Sequence, residues 1–276
     1  MSQKNTPASV WARLRLVAKK RGEQPEYTLT RYALERLLYR LSQSAHANQF
    51  ILKGACLFEI WSQHPHRATR DIDFLGFGAN NIDHLVAVFK EICQVPVEDD
   101  GLDFKQDTTT GKRIRENQTY EGIGISMKAV LGQAIAHLQI DIGFGDIVTP
   151  AAKKMKYPTM LKQSAPLIHV YPKETAIAEK FQAMVHLGRR NSRMKDFFDV
   201  YMMTKLFDFS GAILFNAIVA TFSRRGTLVP NNIPTALTDE FALDKNRLWS
   251  AFLQRIQLEP LAFNKVQQRF KPFFFR

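Results

Sequence analysis

A chain of 276 residues that is 45% hydrophobic and 23% charged has enough apolar material for one large core or two modest ones, which excludes a disordered protein. Lys and Arg outnumber Asp and Glu by 38 to 26, and the resulting formal charge of +12 favours polyanionic partners, nucleic acid first. The two cysteines, Cys56 and Cys93, lack metal-ligand spacing and suit a reducing compartment, while the seven histidines form no zinc-binding pattern. The opening residues MSQKNTPASVW carry no apolar run of a secretory signal, and no uncharged stretch reaches the roughly 18 residues of a membrane span. A cytoplasmic protein with no membrane partner is therefore expected.

Residues 8–22 place Val10, Leu14 and Val17 at helical spacing among basic residues. YTLTRYALERLLYRLSQSAH repeats the pattern, with Thr28 or Thr30 as the predicted N-cap. QFILKG is a short apolar run stopped by Gly54, which predicts a buried strand entering a turn, and ACLFEIWSQH predicts a helix that starts at that glycine. The loop that follows holds His64 and His66, expected at the surface. RATRDIDFLGF predicts the next strand, and NIDHLVAVFKEICQ a further helix. Residues 98–119 are polar and charged, as a hairpin or a loop would be, while YEGIGISMKAVLG and HLQIDIGFGD predict two more strands. Past Pro150, AAKKMKYPTMLKQSAP reads as a basic connector, and from Glu174 onward the periodicity is helical. Strands interleaved with helices, then helices alone, predict an α/β or α+β core with a C-terminal helical domain. The expected divisions are a helical segment at 1–48, a core at 49–165 and the helical domain at 166–276.

The chemistry concentrates in the strand around Asp71. Residues two apart on a strand share a face, so Arg67, Thr69, Asp71 and Asp73 line one side and Ile72 and Phe74 the other. Two carboxylates so close repel, and an apolar setting makes ionising both costlier. Mg²⁺, which takes oxygen ligands from one or two carboxylates plus substrate phosphates, would offset that cost. The competing account is a solvated strand end paired to Arg67 or Arg70. Gly54 adds weight to the first, since backbone amides at a helix start would face an anion. A third carboxylate is found in HLQIDIGFGD, where Leu138, Ile140 and Ile142 alternate inward and Gln139, Asp141 and Gly143 take the other face. Asp146 is the rival, but its place after Gly145 suits a turn or cap.

LKGA, RATRDIDF, IDIGFGD, AEKFQAM and RMKDFFDVY, in that order, closely resemble the AbiEii/AbiGii toxin family of nucleotidyltransferase-like proteins, within the DNA polymerase β-type superfamily. The resemblance runs over most of the chain. It implies an α+β fold, with a nucleotidyltransferase-type mixed-sheet core flanked by helices, and a cytosolic toxin of a toxin–antitoxin or phage-defence system, neutralised by a cognate antitoxin. Some relatives transfer nucleotides from NTP to tRNA 3′ ends. Residue by residue, Asp71, Asp73 and Asp141 match the catalytic, metal-binding acids, for two Mg²⁺ ions. Gly54 matches the glycine of the phosphate turn, with nucleotide contacts implied for Lys53, Ala55, Arg67, Thr69, Lys195 and Asp196. Many superfamily members carry serine after that glycine, and this family often a second glycine; Ala55 lacks the hydroxyl but keeps the amide. Lys180 matches the family's functional lysine, and Lys195, Asp196 and Asp199 its KDxxD helix.

Taken without the resemblance, Lys180 is a solvated lysine beside Ile177, Phe181 and Met184, and Asp196, Asp199 and Arg193 form an ion-pair network within one helix. The resemblance instead points Lys180 at the β- or γ-phosphate, with Asp196 or Asp199 orienting that lysine or the acceptor and Arg189, Arg190 and Arg193 meeting phosphates. The expected function is Mg²⁺-dependent nucleotidyl transfer from NTP to RNA, with tRNA the favoured acceptor. Transfer to a protein or small molecule stays open, as does a binding module without catalysis.

Overall fold

The computed structural model describes residues 6–62, 71–116 and 120–275. Arg67, Thr69, His64 and His66 lie outside the described residues, so the roles expected of them have no structural counterpart here. The described chain divides into two compact units. One comprises residues 6–62 and 71–145 with Lys153–Val170, and the other Asp146–Ala152 with residues 171–275.

In the first unit, two helices, α1 (Pro7–Arg21) and α2 (Pro25–Gln43), lead into β1 (Phe50–Lys53). After it come α3 (Leu57–Ser62), β2 (Asp71–Gly76), α4 (Ile82–Gln94), β3 (Asp103–Glu116), β4 (Tyr120–Leu131), β5 (Ala134–Phe144), β6 (Lys153–Lys156) and β7 (Leu167–Val170). The seven strands form one mixed sheet in the order β3-β4-β5-β2-β1-β7-β6. β2 runs parallel to β5, and β1 parallel to β7; the other neighbours are antiparallel.

Strand periodicity gives this sheet one apolar face. Ile72, Phe74, Ile123, Ile125, Ile140 and Ile142 are buried, as are Leu85, Val88, Phe89 and Ile92 of α4. The Phe50 ring lies 5.5 Å from Phe74 and 5.7 Å from Phe89, joining strands to helix. Each such side chain taken fully out of water contributes on the order of 2–3 kcal/mol. Of the alternate residues, Asp71, Asp73, Gln139 and Asp141 are only half-buried, which leaves the opposite face open at that point, while Leu75 beyond them is buried.

Several expectations are corrected. α2 starts at Pro25, whose fixed φ and missing N–H suit a first helical position. Thr28 is buried with its hydroxyl on Glu23, and Thr30 donates to the Glu26 carbonyl, so neither caps the helix. α3 begins at Leu57 instead of Gly54. The basic connector contains β6, whose four residues are all exposed. As an edge strand it needs no buried face, and its lysines discourage further pairing. β7 lies past residue 165 and still belongs to the sheet.

α2 also buries charge. Arg31 bonds Glu23 at 3.0 Å and Glu59 at 2.5 Å, Arg36 bonds the Ser164 carbonyl at 3.0 Å, and Arg40 bonds Asp100 at 2.5 Å. Glu35 accepts the Met160 amide at 2.7 Å, and its burial pushes its pKa up to about 7. Helix and loops are thus fastened by paired charges, the form in which buried ions are tolerated.

The second unit holds α5 (Lys173–Leu187), α6 (Met194–Leu206), α7 (Gly211–Arg224), α8 (Asp239–Arg255) and α9 (Phe263–Phe274). Its core is aromatic: Trp249 stacks on Phe263 at 4.7 Å, and Phe181 on Phe274 at 4.0 Å. Among the described residues, no helix is long and apolar enough to cross a membrane.

Candidate active site

The sheet register gathers the acids of the first unit. β2 pairs with β5 as Asp71 with Gln139 and Asp73 with Asp141. β1 sets Lys53 opposite Asp73, and β4 sets Gly124 opposite Asp141 and Ser126 opposite Gln139. Because side chains alternate, burial of Ile72, Phe74, Ile140 and Ile142 sends Asp71, Asp73 and Asp141 to the open face. A ligand oxygen from each of these three half-buried carboxylates lies within 4.8 Å of the others. At that separation each pair of charges repels by about 3–4 kcal/mol at an effective dielectric near 20. The donors are all hard oxygens, the set that Mg²⁺ or another hard divalent cation prefers.

Gly54 supports this arrangement from β1. Its φ is +80°, a conformation L side chains rarely adopt. A Cβ there would stand 2.0 Å from Asp73 Oδ2. The glycine is therefore needed twice over, once for the turn and once to admit the carboxylate. Residues 54–56 form a tight turn in which the amides of Leu57, Phe58 and Glu59 bond the carbonyls three residues back. α3 begins only at Leu57, so the helix start expected at Gly54 is replaced by this turn. Lys53 and Ala55 are both buried. Cys56 donates to the Asp71 carbonyl at 3.4 Å, tying the turn to the start of β2, and burial pushes its thiol pKa well up, so it serves as a neutral spacer.

Asp141 has a neighbour to which the sequence reading gave a face but no role. Gln139 donates from Nε2 to Asp141 Oδ1 at 2.6 Å, and Ser126 donates to Gln139 Oε1 at 2.7 Å. The signal was present in the spacing, since Gln139 stands two residues before Asp141.

In the second unit, Lys180 of α5 reaches Asp196 at 2.8 Å and Asp199 at 2.9 Å, both on α6. The Nε of Arg193 lies 2.6 Å from the other Asp196 oxygen. Both carboxylates are almost wholly buried. For Asp196, burial by itself raises the pKa, but Lys180 and Arg193 together outweigh it and hold the group below its ordinary value. Asp199, expected among the catalytic residues, acts on its surroundings here by fixing the Lys180 ammonium. Lys195 is exposed, as are Arg189, which bonds Glu240 at 2.7 Å, and Arg190. Asp146 forms a two-pronged pair with Arg225, 2.9 Å on each side, so this rival for the third carboxylate has a structural partner of its own.

The model of the family described as nucleotidyl transferase AbiEii toxin, type IV toxin–antitoxin system, matches residues 36–271. Among curated proteins none matches. Two crystal structures are similar in part: a candidate nucleotidyltransferase from H. pylori and JHP933 from Helicobacter pylori. Each is 14% identical with a TM-score of 0.47; 86% of this chain is covered in both, with 88% of the first and 85% of the second. Since the family match spans most of its length, the chain belongs to the AbiEii family of nucleotidyltransferase toxins, enzymes that use a nucleoside triphosphate and are paired with an antitoxin.

Proposed function

We propose that the protein is a Mg²⁺-dependent nucleotidyltransferase that moves a nucleotide from an NTP onto RNA, with the tRNA 3′ end as acceptor, as the toxin of a phage-defence system. The observation that carries this reading is the meeting of Asp71, Asp73 and Asp141 oxygens within 4.8 Å on an open sheet face. These three carboxylates would hold the metal, two ions in the active complex. When bound, such ions neutralise phosphate charge and acidify the attacking hydroxyl.

The chain's own residues set the geometry of the transfer. Gly54 lets Asp73 lie against the β1 turn, and Gln139 holds Asp141 from the β5 side. The acceptor hydroxyl gives its proton to Asp141 as its oxygen bonds to the α-phosphorus, while the α–β bridging P–O bond breaks and pyrophosphate leaves with that electron pair. Lys180, its ammonium fixed by two buried carboxylates, is the cation we assign to the triphosphate charge. The formal charge of +12 supports a polyanionic acceptor, because phosphate contacts give affinity without sequence preference.

Incubation with Mg²⁺, each labelled NTP and total RNA tests this. Label is expected at RNA 3′ ends, with a loss of about a thousandfold or more for Asp71→Asn, Asp73→Asn or Asp141→Asn. Variants that match wild type in transfer and in toxicity would sink the catalytic reading. Label on protein or on a small molecule would replace the acceptor and leave the site standing.

A further inference from the structure

We propose that Gln139 is a positioning residue for Asp141, and that the Ser126 hydroxyl locks it in the working orientation. The proposal rests on the reading of Asp71, Asp73 and Asp141 as a metal site. An ionised carboxylate only accepts hydrogen bonds, so the group of Gln139 facing Asp141 must be its NH₂. The 2.6 Å contact from Nε2 to Oδ1 meets that requirement. At the other end of the same amide, Ser126 Oγ lies 2.7 Å from Oε1 and donates to it. Flipping the amide would lose both bonds and set an oxygen against the carboxylate. The two contacts therefore specify one orientation.

Register makes the relay possible. Gln139 and Asp141 are neighbours on one face of β5, and Ser126 stands opposite Gln139 on β4. Gly124 stands opposite Asp141, where a Cβ would lie 2.9 Å from Gln139 Nε2 and 3.3 Å from Asp141 Oδ1. Its missing side chain is the space through which amide and carboxylate meet. Gln139 and Ser126 also line a hollow of about 320 Å³ with Thr108, Thr110, Lys128 and His137, and with Met127 and Leu138. Gln139 is half-buried there, so hydrogen bonds instead of tight packing hold its amide. With Oδ1 engaged, the rotation of the Asp141 carboxylate is set and its second oxygen is presented for a cation. Groups behind the ligands commonly tune metal affinity by 10–100-fold in this way.

Mn²⁺ binding to the full-length protein, followed by electron paramagnetic resonance, tests the relay apart from turnover. Gln139→Leu keeps the bulk and removes the donor; about tenfold weaker Mn²⁺ binding is expected at an unchanged thermal midpoint. Ser126→Ala should weaken binding two- to threefold, and Ser126→Thr, which keeps the hydroxyl, should restore it. Wild-type Mn²⁺ affinity in Gln139→Leu overturns the proposal while Asp71→Asn still abolishes binding. If Gln139→Leu does not fold, equal affinities in the two Ser126 variants overturn it instead. Should Asp71→Asn bind Mn²⁺ like wild type, the metal-site reading falls and takes this inference with it.

Discussion

Asp71, Asp73 and Asp141 in the sheet, and Asp196 and Asp199 on α6, are both sets of crowded carboxylates, and they differ in burial. On α6 the acids are almost wholly buried, and Lys180 and Arg193 stand within 2.6–2.9 Å of them, two cations against two anions. In the sheet the three acids are half-buried on an open face. A fully buried anion must carry its counter-charge within the chain, because desolvation costs several kcal/mol per ion. A carboxylate at the surface keeps much of its hydration and can exchange it for an ion from solution. Crowding alone does not identify a metal site; crowding on an open face is the more telling feature.

Lys180→Met against Asp73→Asn gives the sharpest contrast. Removing Lys180 takes a counter-charge from two buried carboxylates and leaves Arg193 on Asp196, which should cost about 3–5 kcal/mol of stability. Asp73→Asn should move the thermal midpoint far less while abolishing nucleotide transfer. Thermal unfolding of both variants decides it, and the reverse order of midpoints would break the distinction.

Glu35 offers an intermediate case, a buried acid whose pKa is raised to about 7 from an ordinary 4.5. Between those values the folded protein keeps a proton that the unfolded chain has released. Stability should accordingly be highest below about pH 4.5, fall by on the order of 3 kcal/mol as pH rises to about 7, and add no further slope above. Glu35→Gln should flatten that window in denaturant titrations at several pH values, and an unchanged slope would assign it to other groups.

Gly54→Ala should cost less stability than Lys180→Met. A non-glycine residue at φ +80° costs about 1–3 kcal/mol, and the new methyl would displace Asp73 from its place against the turn. Nucleotide transfer should drop far more than stability does. A variant as active as wild type would show that Asp73 does not need its present position.

Much of the acid site was legible because strand parity is a strong constraint. Alternating isoleucines around Asp71, Asp73 and Asp141 place the acids opposite the core in any sheet that buries those isoleucines. Their convergence needed more, since the parallel pairing of β2 with β5 is a long-range choice that no local pattern encodes. The α2 start was misplaced because Thr28 and Thr30 look like caps, whereas tertiary packing buries Thr28 and Pro25 opens the helix. β6 escaped notice because KKMK at a sheet edge has no buried face and so no alternation to detect. The Lys180 ion pairs were expected only through the resemblance, which set Asp196 or Asp199 to orient that lysine; the apolar helical face around Lys180 does not by itself reveal what α6 sets beside it.

The parallel ladder between β2 and β5 has a bearing on synthesis. Asp73 and its register partner Asp141 are separated by 141 − 73 = 68 positions, so the last acid leaves the ribosome well after the first two. Until β5 has emerged and docked, only two of the three acids are in place. Assembly of the full set therefore waits on a non-local pairing step, the kind that forms late in folding.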